Sequence, residues 1–267
     1  MKIYVAVDLE GISGIINAEQ VKTENGVNYD EGRKYMTEDI NACVEGCFRG
    51  GATEVVVADK HGRGRNVLWH ELDDRASYIV GHTENSPDGR LPEVEGSDGL
   101  ILLGYHAMAG TCGAVLRHTW SSADWHNLWI NGNLSGEIAL DTYFAADSGV
   151  PTIMVSGDDK LCAEAKHLIP SIVCAQVKRG LTRYGAKLLS KGAAHKLITD
   201  KSEEAVNRRN EFKPLTLPSP VTLRLECVEQ PMSFSAYDKP FAKIINERTF
   251  EVTGDNFWQA FYRLLNM

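Results

Sequence analysis

The sequence has no run of lysine or arginine, and its 28 basic residues are outnumbered by 36 acidic ones, for a formal charge of −8. Attraction to nucleic acid or to an anionic lipid surface is therefore not expected, and a small molecule or peptide is the better partner. No segment approaches the roughly 20 apolar residues that span a bilayer. The apolar run Ile3 to Val7 is too short for a secretory signal core and ends in Asp8. The six cysteines, Cys43, Cys47, Cys112, Cys162, Cys174 and Cys227, lack the dense spacing of a disulfide scaffold. Reduced thiols and a cytoplasmic location are expected. Internal repeats and low-complexity tracts are missing as well, so solenoid and disordered architectures are not anticipated.

What is present is the composition of an ordinary globular protein, with 267 residues of which 43% are hydrophobic and 24% charged. Short runs rich in Val, Ile and Leu occur at Ile3 to Val7, Glu54 to Ala58, Leu100 to Leu103, Pro151 to Val155 and Ser171 to Val177. Their weak alternation is that of strands buried on both faces. Asp30 to Phe48 and Glu137 to Asp147 have helical length and apolar spacing, and Gly50-Gly51 stops the first. The β-α-β order predicts an α/β fold, a mostly parallel sheet flanked by helices in a three-layer sandwich. Lys191 to Asn210 reads as an amphipathic helix, and the prolines Pro214, Pro218 and Pro220 then break the pattern. Beyond them Val221 to Val228 alternates as a strand with one wet face, and Asn256 to Leu265 reads as a closing helix. This divides the chain into a metal-binding catalytic domain over 1–212 and a smaller α+β lobe over 213–267, either separate or packed together as one domain.

Ligands of open α/β sheets bind beyond the carboxyl ends of the strands. Four apolar runs end there in polar residues: Asp8-Leu9-Glu10-Gly11, Asp59-Lys60-His61-Gly62, Gly104-Tyr105-His106, and Gly157-Asp158-Asp159. Asp8 and Glu10 are two apart, so in extended chain both carboxylates project to one side, which suits a shared metal. His61 and His106 would add the imidazoles that favour zinc over magnesium. Each feature has a plainer reading: an Asp-x-Glu at a strand end is commonly a loop cap, and a lone histidine a packed one. Their convergence on one sheet edge points to a metal.

The residues Asp8-Leu9-Glu10-Gly11-Ile12-Ser13-Gly14, Tyr29-Asp30-Glu31-Gly32-Arg33, Met36-Thr37-Glu38, Asp59-Lys60-His61, Gly104-Tyr105-His106-Ala107, His118, Gly136-Glu137 and Gly157-Asp158-Asp159 together resemble the zinc D-aminopeptidase family of the dipeptide-operon type. The likeness is strongest over the first two thirds of the chain. It implies two zinc ions per chain held by Asp8, Glu10, His61, His106 and Glu137, with Asp8 bridging, and His118 as the catalytic residue beside them. It also implies a short peptide substrate with a free N-terminus and a D-residue such as D-alanine, and a ring-like homo-oligomer. Glu137 by its local context reads equally as an acid in the first turn of a helix. Tyr105 and Asp59 read either as supports of the ligands or as a core residue and a turn cap.

Other polar residues are set aside. Cys43 and Cys47, four apart, belong to a helix core. His126 between Trp125 and Trp129 is expected to be packed, Cys112 has no electropositive setting, and His70, His82, His167 and His195 have no partners in sequence. Two rivals remain. A magnesium phosphatase of the haloacid-dehalogenase kind would use Asp8, Glu10, Asp158 and Asp159, but it gives no work to the histidines and needs an Asp at Glu10 and a Thr where Ile12 stands. A non-enzymatic binding module would cradle phosphate with Gly11-Ile12-Ser13-Gly14, without the lysine of a phosphate loop.

Overall fold

The computed structural model describes residues 1–22, 26–83, 89–229 and 239–267. The first apolar runs form β1 (Lys2–Val7), β2 (Glu54–Asp59) and β4 (Gly99–Leu103), with a short β3 (Ser77–Ile79) at the edge. Next come β7 (Thr152–Asp158), β8 (Val173–Thr182) and β9 (Gly185–Leu188), giving a seven-stranded sheet ordered β3-β2-β1-β4-β7-β8-β9. Every pairing in it is parallel except β8 with β9. Strand β1 lies between β2 and β4, so the chain winds outward from it first one way and then the other. The crevice at the carboxyl end of β1 is thus the switch point at which such sheets bind ligands.

Both faces of β1 are buried, as its unbroken apolar run requires. Ile3, Val5 and Val7 enter one core cluster, where they meet α1 (Val27–Arg49) and α4 (Lys191–Asn207). Helix α1 contributes Met36, Ile40, Cys43, Val44 and Cys47, a stripe of helical spacing; Cys43 and Cys47 are core residues, as expected. Tyr4 and Ala6 enter the opposite cluster with Leu100 and Leu102. That face is covered by α2 (Glu137–Asp147), α3 (Asp159–Leu168) and a second sheet.

The second sheet is antiparallel, ordered β11-β12-β10-β5-β6. Its strands are β5 (Trp125–Ile130), β6 (Asn133–Ser135), β10 (Val221–Cys227), β11 (Ala242–Asn246) and β12 (Thr249–Gly254). In β10 the alternation resolves as expected, with Val221, Leu223, Leu225 and Cys227 inward and Arg224 outward. Helix α5 (Phe257–Leu265) closes the layer with Phe257, Ala260, Phe261 and Leu264. Residues after 212 do not build this sheet alone, because β5 pairs with β10 in the register Leu223↔Ile130 and Leu225↔Leu128. Leu223, Val252 and Phe261 share one buried cluster with Tyr4 and Leu100 of the main sheet. One expectation fails locally. His126 is exposed at the start of β5, where the inward positions belong to Leu128 and Ile130. His195, without a partner in sequence, lies 3.4 Å from the Asp39 carboxylate because α4 packs on α1.

Candidate metal centre

Strands β1, β2 and β4 deliver Asp8, His61 and His106 to one crevice, and the first residue of α2 delivers Glu137. The loop after β1 and the loop after β4 touch backbone to backbone. Gly11 N–H donates to the Gly104 carbonyl at 2.7 Å, and a Cβ on Gly11 would lie 1.8 Å from the Tyr105 carbonyl oxygen. Gly104 takes φ +70°, and a Cβ there would meet the Asp8 carbonyl at 2.4 Å. Both glycines are therefore required for Asp8 and His106 to approach one another.

All three site histidines are oriented by a backbone carbonyl. His61 Nε2 lies 2.8 Å from Val21 O, His106 Nδ1 3.1 Å from Ala107 O, and His118 Nδ1 2.9 Å from Leu116 O. A carbonyl oxygen only accepts, so each of these nitrogens carries its proton and the other ring nitrogen faces the crevice. His61 Nδ1 is 3.1 Å from Asp8 Oδ1 and 3.0 Å from Glu10 Oε2. His106 Nε2 is 3.4 Å from Asp8 Oδ2 and 3.2 Å from Glu137 Oε1. Glu10 Oε2 and His106 Nε2 are buried without a well-aligned hydrogen-bond partner. Lone pairs on nitrogen and carboxylate oxygen cannot face each other at such distances unless a cation, either a proton or a metal, lies between them. The donor set of imidazoles and carboxylates is the one that zinc takes. Among the described residues, two groupings bring ligand atoms within 4.8 Å of one another: Asp8, Glu10 and His106, and His106, His118 and Glu137.

The electrostatics agree. Burial disfavours a charged imidazole, but the facing carboxylates override it: His61 is held well above the ordinary histidine range by Glu10 and Asp8, and His106 is pushed up to about 10 by Glu137 and Asp8. Burial likewise raises Glu10 and Glu137, yet the His61 and His106 charges prevail, leaving Glu10 far below the carboxylate range and Glu137 lowered to about 2. The crevice thus demands positive charge. It opens into a cleft of about 380 Å³ walled by His118, Trp120 and Ser121 to Ala123.

His118 stacks on His106 with ring centroids 4.0 Å apart, and its Nε2 is 3.8 Å from Glu137 Oε1. It stands at the mouth, partly open to solvent. Asp59 and Tyr105 combine the two roles open to them. Asp59 accepts from Asn66 N, Asn66 Nδ2 and the His61 amide, which fixes the turn that aims His61. Tyr105 is fully buried and donates to Asp141, which also takes two hydrogen bonds from Arg90. Sequence reasoning missed Arg90 and Asp141, which lie behind Glu137, with Arg90 Nη2 3.9 Å from Glu137 Oε2. It also missed the Trp120 amide, which donates to Glu137 Oε1 at 2.8 Å. Only a helical repeat links Glu137 to Asp141 in sequence, and nothing local marks Arg90.

The rival readings lose their residues. Asp158 caps α3 through Lys160 N and Leu161 N and accepts from Val115 N, while Asp159 accepts from Gly180 N and pairs with Lys160. These carboxylates are engaged in structure, so among the described residues the phosphatase reading finds no second acidic motif at the crevice. The phosphate cradle is closed as well, since the amides of Gly11, Ile12 and Ser13 donate to Gly104, Leu9 and Asp39.

A family model described as D-aminopeptidase matches residues 1–267. The D-aminopeptidase of Bacillus subtilis (strain 168) is 38% identical over 230 residues, 85% of this chain and 81% of that protein. The solved structure of the Zn-dependent D-aminopeptidase DppA from Bacillus subtilis, described as a self-compartmentalizing protease, is similar with a TM-score of 0.92 at 32% identity. That likeness covers 100% of this chain and 96% of that chain.

Proposed function

Since this chain belongs to the D-aminopeptidase family of peptidases, we propose that it is a two-zinc aminopeptidase that removes an N-terminal D-residue, such as D-alanine, from short peptides or amino-acid amides. The observation that carries the two-zinc reading is the pose of Asp8, whose Oδ1 faces His61 while its Oδ2 faces His106. Asp8 would be shared by the two ions, with Glu10 and His61 to hold one and His106 and Glu137 to hold the other, although His106 also lies within reach of Asp8 and Glu10. When bound, zinc supplies Lewis acidity toward a peptide carbonyl and lowers the pKa of water.

The chain's own residues do the rest. His118, tethered through Nδ1 to Leu116 O, presents Nε2 at the cleft mouth, where it takes or gives a proton at the scissile amide or steadies the developing oxyanion. The Trp120 amide and Arg90 keep Glu137 turned inward. A free α-amine would be recognised by a bound zinc or by a carboxylate of the crevice, and acetylation would remove that contact.

The unpaired cysteines fit a cytoplasmic setting. The exposed aromatic face of α5, with Trp258 stacked on Tyr262 at 5.3 Å, fits a ring-like homo-oligomer, in keeping with the self-compartmentalizing relative. The test is cleavage of matched D- and L-alanyl peptides with free and acetylated N-termini, alongside the zinc content of the purified protein. Free D-peptides are cut, acetylated ones are not, and zinc approaches two per chain. Equal turnover of blocked and free peptides would move the activity to an endopeptidase or amidase.

A further inference from the structure

The loop that leaves β1 carries Asp8 and Glu10 into the crevice, and its other side is gripped by residues remote in sequence. Lys178 of β8 is almost completely buried, and its ammonium donates to the carbonyls of Glu10, Ile12 and Ile15 at 2.8, 2.9 and 2.8 Å. Three carbonyls of one short loop thus converge on a single cation, and all three ammonium donors are satisfied. From the other side, Asp39 of α1, fully buried, accepts from Ser13 N at 2.8 Å and Ser13 Oγ at 2.7 Å. The loop's acceptors are tied to a cation and its Ser13 donors to an anion. None of these contacts reaches the cleft, so neither side chain is placed to touch substrate.

From this geometry we infer that Lys178 and Asp39 form a buried clamp that sets the shape of residues 10–15 and thereby the pose of the Glu10 carboxylate toward its metal. They are positioning residues for the metal site. The physical case is that Glu10 lies past the end of β1, where strand pairing has ended and the peptide after Glu10 is held by Gly11 N–H to the Gly104 carbonyl on one side and by Lys178 on the other. Its own carbonyl is one of the three that Lys178 holds. Lysine suits the task because a compact ammonium can serve carbonyls converging on a point, whereas the planar fork of arginine is longer and directs its donors elsewhere. The inference rests on the two-zinc reading.

The test is zinc titration of metal-free protein, wild type against Lys178→Met and Ser13→Ala, with affinity and thermal midpoint read on the same preparations. Supports of metal ligands typically change affinity by about 10–100-fold. Lys178→Met is expected to weaken the zinc equivalent that uses Glu10 by about that factor and to leave the other closer to wild type. Ser13→Ala, which removes one of the two Asp39 contacts, weakens the same equivalent by less. Val44→Ala, a core truncation in α1, serves as the control for lost stability and keeps both affinities. Wild-type affinity at both sites in Lys178→Met would overturn the clamp, as would equal loss in the control. If Lys178→Met fails to fold, Ser13→Ala decides, and unchanged affinity there overturns it. A wild-type chain that binds no zinc overturns the clamp together with the two-zinc reading, and is recognised before any variant is compared.

Discussion

Loading the metal-free protein with zinc should release protons, and the crevice geometry sets the least number. In the metal-free crevice a proton must lie between His61 Nδ1 and the carboxylates of Asp8 and Glu10, and another between His106 Nε2 and Glu137. With His106 raised to about 10 and His61 well above its ordinary value, both imidazoles are protonated at pH 7.5. Zinc takes the nitrogen lone pairs and must displace those protons. At least two protons per chain should therefore leave when both metals bind, one from each histidine ligand, with any further release coming from zinc-bound water. Each equivalent should bind about tenfold more tightly per unit rise in pH, or about 1.4 kcal/mol. This gain should persist toward pH 10 for the His106 side. The folded metal-free protein carries the same signature. His106 is raised from 6.5, so the stability it contributes is full below about 6.5 and is lost as pH rises through about 10. Glu137 is lowered from 4.5, so its contribution is present above about 4.5 and is lost as pH falls through about 2. Calorimetric titration in buffers of different ionisation heat counts the protons directly. Release of well under one proton at pH 7.5 would mean that the imidazoles already present bare nitrogens, and would refute this account of the crevice.

Asp8→Ala should lower the occupancy of both zinc sites, since its two oxygens face different histidines, whereas His61→Ala should deplete mainly one; elemental analysis separates the patterns. His118→Ala should keep its zinc while kcat falls by about 10²–10⁴, the usual worth of a proton carrier or oxyanion donor; metal loss in that variant would make His118 a ligand instead. Arg90→Met removes the bidentate partner of the fully buried Asp141. Breaking such a pair costs about 3–5 kcal/mol, so the thermal midpoint should drop by roughly 10 °C at about 2–4 °C per kcal/mol, and an unchanged midpoint would show that Tyr105 alone satisfies Asp141.

The sequence by itself determined the elements whose signals are local. The doubly buried strands β1, β2 and β4 showed as continuous apolar runs, α1 as a stripe at helical spacing, and β10 as strict alternation, because period and burial are written residue by residue. The strand-end carboxylates and histidines were legible for the same reason, since a polar residue closing an apolar run is visible without its partners. Glu137 was not: as the first residue of α2 it looks like any helix-start acid, and only the resemblance picked it out. Tertiary structure alone decided that β5 and β6 leave the first two thirds of the chain to pair with β10, because strand pairing is a contact between distant segments that no window contains. It also decided the grip on the loop that carries Asp8 and Glu10. Lys178 lies 168 positions from Glu10, and Arg90 is 51 from Asp141. A buried charge acquires its role from whatever the fold sets opposite it, and that partner is chosen by the order of strands in the sheet.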